Sequence, residues 1–224
     1  MPTTRTARSG RAGRAGPEPS EGPREAGEPE GEDRKQASDA NRAEPESEDS
    51  KQASRSIYRG RIVDLSLDTV ALPNGRTVDL ELIHHPGAAA IVPIEADGQV
   101  VLVRQYRYAT DGYLLEVPAG KLDGGETPEI CAQRELVEEC GRCAASLTPL
   151  GWIWTTPGFT NEKIWLFLAR NLTPATQALE HDEVLTVERV PFTRALAMAL
   201  SGEITDAKSA IALVRAASHL QEQS

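Results

Sequence analysis

The chain has 224 residues, 39% of them apolar and 26% charged, and a formal net charge of -10. No run approaches the ~18 consecutive apolar residues of a membrane-spanning helix, and an acidic balance argues against a nucleic-acid binder, whose phosphate contacts need basic patches. Three cysteines make no disulfide framework, so a reducing, cytoplasmic setting is expected.

Between Pro2 and Arg55 there is no Val, Ile, Leu, Phe, Trp or Tyr, and Ile57 is the first aliphatic residue. Such a stretch cannot bury enough apolar surface to offset the entropy of ordering, so residues 1–55 are expected to form a disordered, low-complexity tail. Arg5, Arg8, Arg11 and Arg14 precede the first acid, Glu18, but without an apolar face they make no amphipathic targeting helix. Residues 56–224 are then expected to fold as one domain around a core of roughly 170 residues.

Two apolar runs, Ile62 to Leu72 and Val78 to Ile83, flank Asn74-Gly75. That dipeptide signals a hairpin in which both turn residues take positive φ. Ala88 to Glu95 and Gln99 to Tyr106 flank Ala96-Asp97-Gly98 and read as a second hairpin. Leu114 to Val117 is a short strand stopped by Pro118. Thr127 can cap a helix, Pro128 suits its first position and Glu129 complements its dipole. The helix should run to about Cys140 and end at Gly141. Gly151 to Thr155, Lys163 to Ala169 and Val184 to Val190 read as strands, and helices over about Pro191 to Leu200 and Asp206 to Leu220 close the chain. The order implies an α+β fold, an α/β/α sandwich with a mixed sheet.

Within the strong helix Glu135, Glu138 and Glu139 stand at i, i+3 and i+4, on one face. A solvated acidic face is the default for such a triplet. Upstream, however, the glycine-bearing loop Gly120-Lys121-Leu122-Asp123-Gly124-Gly125-Glu126 enters the helix, Arg134 adjoins the first carboxylate and Gly141 ends it. In register, these residues give Gly, five residues, Glu, seven residues, Arg-Glu-aliphatic-x-Glu-Glu-x-Gly. The chain here resembles the Nudix hydrolase family, with the box spanning 120–142. Arg142 departs, standing where the family has an aliphatic residue.

The resemblance implies a Nudix-type sandwich and a Mg²⁺ site, with Mn²⁺ as the other candidate, since both hard ions prefer oxygen ligands. It implies Glu135, Glu138, Glu139 and the Ala119 carbonyl as metal ligands, with Glu126 and Arg134 as an orienting pair behind them. Downstream, Thr156-Pro157-Gly158-Phe159-Thr160-Asn161-Glu162 is similar to the loop of ADP-ribose pyrophosphatases, its proline 15 residues past Arg142. Glu162 and Glu138 are accordingly the catalytic candidates, Glu162 as general base or water-positioning residue. Upstream, Val103-Arg104-Gln105-Tyr106-Arg107-Tyr108 and Leu115 to Gly120 are similar to the same subgroup. Arg107, Arg104 and Glu116 are therefore substrate-binding candidates, Arg107 for a phosphate or ribose, Glu116 for the substrate or a partner subunit.

The implied activity is hydrolysis of ADP-ribose or a related nucleoside diphosphate sugar, a small-molecule substrate. GDP-mannose or another sugar nucleotide is the alternative within the class, and a non-catalytic ADP-ribose sensor the alternative outside it. By the same resemblance the chain is a homodimer, with residues 57–83 as dimer-forming strands. Trp152 and Trp154 share a strand face, with core packing as their default role; His84-His85 has no evident partner. Cys140-Gly141-Arg142-Cys143 sits at a helix C-terminus, where the dipole disfavours a thiolate.

Overall fold

The structure, a computed structural model, describes residues 50–223. Most of the expected tail lies outside them. The boundary set at residue 55 falls inside the first strand, β1 (Lys51–Arg59), which pairs antiparallel with β2 (Asp64–Ala71). With β3 (Thr77–His84) these form a three-stranded antiparallel sheet. Nothing in the composition of Lys51 to Arg55 marks a strand; pairing with β2 orders it.

Two further sheets follow. β4 (Ala88–Pro93), β7 (Ala119–Lys121), β8 (Arg142–Trp154) and β9 (Lys163–Pro174) make one, ordered β7-β4-β9-β8, in which only β4 and β9 run parallel. β5 (Gln99–Arg107), β6 (Gly112–Glu116) and β10 (Leu185–Pro191) make the other, ordered β10-β5-β6.

The period-two alternation of these strands divides the core into two layers. Ala89 and Ile91 of β4, Val101 and Val103 of β5 and Phe167 of β9 pack with Cys131, Ala132, Leu136 and Cys140 of helix α1 (Pro128–Cys140). Their neighbours Ala90, Val92, Val100, Leu102, Leu166 and Leu168 pack with Ala195 and Met198 of α2 (Phe192–Ser201) and Ala212, Leu213 and Ala216 of α3 (Ala207–Glu222). Helices on both faces of these sheets, one of them mixed, make the expected α/β/α sandwich.

Both turns form, by one device, but only the first closes a paired hairpin, β2 with β3; β4 and β5 share a single bridge, Ile94 with Val100, and then part into different sheets. In each, only the glycine has positive φ: Gly75 at 79° and Gly98 at 80°. Gly75 N–H donates to Leu72 O and Leu72 N–H to Arg76 O; Gly98 and Glu95 repeat this with Glu95 O and Gln99 O. These are three-residue loops with a terminal glycine, not the two-residue turn expected at Asn74-Gly75. The Asn74 and Asp97 side chains accept from the N–H two residues on, which explains their place without positive φ.

Arg142 opens β8 and has a reason to be charged. Its Nε donates to Glu95 Oε1 at 3.0 Å and its Nη1 to Gly141 O at 3.0 Å, while Arg189 holds the other Glu95 oxygen. The polar network does the work an aliphatic contact would otherwise do after the helix. Because Glu95 keeps Arg189, Arg142→Leu is expected to cost only about 1 kcal/mol. Thermal melts should register that loss while kcat/KM stays at the wild-type value; a fall of more than about tenfold in kcat/KM would instead tie Arg142 to the chemistry.

Candidate active site

Helix α1 starts and stops as its sequence requires. Thr127 caps it by accepting from Ile130 N–H, and Gly141, at φ 61°, donates back to Val137 O. Its last carbonyls find partners far along the chain: Ala178 N–H donates to Glu138 O, and the Gln177 side chain to Glu139 O.

Glu135 and Glu139 do not lie on a solvated face. They fall on the same stripe as Cys131, Ala132, Leu136 and Cys140, and are 7% and 2% exposed. Burial, reinforced between the two by their mutual repulsion in Glu139's case, pushes Glu139 up to about 8. Burial likewise pushes Glu135 up to about 7 against the pull of Arg134. Glu183, from the loop before β10, adds to the negative field at both, a contribution that no motif in the sequence signals. Glu138 lies at the edge of the stripe, part-exposed.

Arg134 ties the helix to the loop. It grips Glu126 with two parallel bonds, Nε to Oε1 at 3.0 Å and Nη2 to Oε2 at 2.9 Å, holding that carboxyl down near 2. Its Nη2 also donates to Lys121 O. Its reach exceeds the expected pair: Nη1 donates to Glu135 Oε1 at 2.6 Å and to Glu138 Oε2 at 3.0 Å. Among the described residues no three acidic, His or Cys side chains converge as ready metal ligands. A hard divalent cation nevertheless fits this donor set, which is all oxygen and holds two buried carboxylates with raised affinity for a positive charge.

The loop brings backbone to the same place. Ala119 N–H donates to Glu139 Oε2 at 3.0 Å. Gly120 follows, and a Cβ built on it would fall on the Glu135 carboxylate. A side chain there would have to displace the Glu135 carboxylate.

Glu162 lies across β4 from this loop. β7 and β9 flank the start of β4, with Lys121 and Ile164 both in register with Ala88. Two strand spacings put them about 10 Å apart. Glu162 precedes β9, and Thr155 donates to its Oε2 at 2.7 Å. Phe159 O accepts from Ile83 N–H and Asn161 Oδ1 from His85 N–H, so the end of β3 pins this loop. His85 therefore has partners, contrary to expectation: its Nε2 is 3.5 Å from Glu162 Oε1. A depression of about 470 Å³ opens beside it, lined among others by Arg59, Arg61, His84 and His85.

Arg107 and Arg104 part company. Three apart on β5, they point to opposite faces, Arg107 sharing the face of Val101 and Val103 under α1. Its guanidinium forks onto Glu116 at 2.8 Å for both bonds, and its charge reaches Glu139. Arg104 stands over the Tyr113 ring on the other side. Glu116 is 1% exposed and also takes Lys208 of α3, itself paired with Asp206. That carboxylate is buried in an ion network and holds Arg107; it faces no open surface.

Trp152 and Trp154 do not join the core. With Trp165 they surround the Lys163 ammonium, at 4.1, 6.0 and 4.8 Å from the ring centroids. Burial pushes the Cys140 thiol of the CxxC far up, the opposite of a reactive cysteine, and the buried Cys131 likewise up to about 12. Among the described residues no helix is long and apolar enough to cross a membrane.

The NUDIX domain matches residues 84–212. The chain is 39% identical to the ADP-ribose pyrophosphatase of Bacillus subtilis (strain 168) over 159 residues, 70% of this chain and 86% of that one. It is 38% identical to the GDP-mannose pyrophosphatase of Salmonella arizonae over 136 residues, 57% of this chain and 71% of that one. The crystal structure of an ADP compounds hydrolase, 24% identical, superposes with a TM-score of 0.68 over 78% of this chain and 95% of its own, and shares the fold.

Proposed function

We propose that this chain, which belongs to the Nudix family and is one of its hydrolases, cleaves the diphosphate of ADP-ribose or a related nucleoside diphosphate sugar. The observation that carries the reading is the buried pair Glu135 and Glu139 beneath Gly120, across β4 from the Glu162 loop. Relatives named for ADP-ribose and for GDP-mannose support the substrate class.

Mg²⁺ or Mn²⁺, held by Glu135, Glu138, Glu139 and the Ala119 carbonyl, would neutralise phosphate charge and acidify water. The residues of the chain do the rest. Glu162 accepts a proton from the attacking water as its oxygen bonds to phosphorus and the bridging P–O bond breaks. For ADP-ribose the products are AMP and ribose 5-phosphate. Glu138, more exposed than Glu135 and Glu139, is best placed to change partners during turnover. Arg107, held by Glu116, presents its guanidinium to a phosphate or the distal ribose. Arg134 and Glu126 orient the loop behind the carboxylates. Arg104, on the far face, is left out of this site. The exposed sheet, with Ile57, Tyr58 and Leu80 in the open, supports a homodimer formed through residues 57–83. A cytoplasmic location agrees with three free cysteines.

Hydrolysis of ADP-ribose, ADP-glucose, GDP-mannose and a dinucleoside polyphosphate with Mg²⁺, resolved by chromatography, tests the reading. A kcat/KM for ADP-ribose at least about tenfold above the rest, with AMP released, is expected. Preference for GDP-mannose would keep the mechanism and move the specificity. Binding of ADP-ribose without cleavage would turn the reading to a sensor.

A further inference from the structure

His85 stands where the two halves of the site meet. Its N–H donates to Asn161 Oδ1 at 2.8 Å, on the loop that carries Glu162. Two residues on, Gly87 O accepts from Leu122 N–H at 3.0 Å, on the box loop. Gly87 N–H donates to His85 Nδ1 at 3.1 Å. An imidazole nitrogen that accepts carries no proton, so the neutral ring is protonated at Nε2. That nitrogen lies 3.5 Å from Glu162 Oε1. Burial holds the His85 pKa below its ordinary value; Glu162 pulls it upward and Lys121 downward. The ring is only 14% exposed, and the other Glu162 oxygen takes the Thr155 hydroxyl. Each oxygen of Glu162 thus faces one protein donor.

We propose that His85 is a positioning residue for Glu162: its Nε2–H, opposite the Thr155 hydroxyl, fixes the rotation of the carboxylate so that its remaining lone pairs meet the attacking water. The proposal rests on the reading of Glu162 as the base. The 3.5 Å separation places the two groups within ion-pair reach. In this role no proton leaves His85; its Nε2–H stays toward the Glu162 carboxylate. The Gly87 link sets both the tautomer and the ring plane, and a glycine is required there, since its φ is 99° and a Cβ would meet the Trp165 ring.

Steady-state kinetics of His85→Ala, His85→Gln, Glu162→Gln and the His85→Ala/Glu162→Gln double variant, with Mg²⁺ and ADP-ribose, tests it. His85→Ala should lower kcat roughly 30-fold with KM within about threefold, whereas Gln, whose amide nitrogen can occupy the Nε2 position, should stay within about fivefold of wild type. In the Glu162→Gln background the Ala change should cost nothing more. Wild-type kcat in His85→Ala, an equal fall in Gln and Ala, or a full further loss in the double variant each overturns the positioning role while leaving Glu162 as base. If Glu162→Gln alone turns over like wild type, the base reading falls and the positioning role with it. Imidazole ¹⁵N NMR, independent of activity, should find His85 protonated at Nε2 in the neutral form; the Nδ1 tautomer overturns the proposal.

Discussion

Glu139→Gln is expected to reduce turnover by roughly three orders of magnitude and, in EDTA at pH 8.5, to make the protein more stable. Both effects come from one placement. Glu139 is 2% exposed, with Ala119 N–H as its donor, beside the also buried Glu135. Its folded-state pKa, pushed up to about 8 chiefly by burial, lies above the ordinary carboxylate value of 4.5. Between those two values the folded protein binds more protons than the unfolded chain, so stability falls as pH rises through the interval. Melts in EDTA should show the wild-type Tm dropping by roughly 5 °C from pH 5.5 to 8.5, at about 2–4 °C per kcal/mol for a domain of this size. Glu139→Gln, neutral throughout, should lose most of that slope, keeping the part due to Glu135. Mg²⁺ should restore the wild type most at pH 8.5, where the carboxylates no longer need to release protons to bind it. A wild-type Tm that rises with pH in EDTA would mean these carboxylates are not the buried, charge-seeking pair described above.

The spacing of the box was legible because it is local: a cap, a helix period and a terminal glycine are written within a few residues of one another. What the box carboxylates face was not. Periodicity alone puts Glu135 and Glu139 on a shared stripe with Cys131, Ala132, Leu136 and Cys140, yet hydrophobic patterning assigns carboxylates to solvent. The contrary placement depends on β7, a three-residue strand too short to leave a pattern, which lays Ala119 and Gly120 against them. Arg142 looked like a lapse in the motif because its partner, Glu95, is 47 residues away. His85 looked incidental for the same reason, since Glu162 and Asn161 approach it through the bridge between β3 and the loop before β9. The tryptophans read as core because alternation reports a shared face but not what covers it; Lys163, directly across β8 and β9 from Trp154, does. Arg104 and Arg107 share a motif but not a face, a distinction that strand register alone decides.

Gly120→Ala carries the second large effect, and it separates activity from folding. Gly120 does not have positive φ, so its backbone accepts alanine; the obstacle is the Glu135 carboxylate, on which the new methyl would fall. That carboxylate is the far end of a flexible side chain, held by Arg134 at 2.6 Å. The fold can yield by swinging it aside, and the Tm is expected to stay within about 3 °C of wild type. The site cannot yield so easily. Moving a carboxylate by an ångström or more from its working position typically costs about 100-fold, and kcat/KM should fall at least that far. Part of the loss should return at higher Mg²⁺ concentration, because the displaced group is a proposed ligand and not the proposed base. Gly124→Ala, in the same loop with open space around it and no positive φ, should leave kcat/KM unchanged. Wild-type turnover in Gly120→Ala would remove Glu135 from the site. A collapse of Tm with the loss of activity would instead make the glycine a requirement of the fold, and the close approach of β7 to α1 a matter of packing alone.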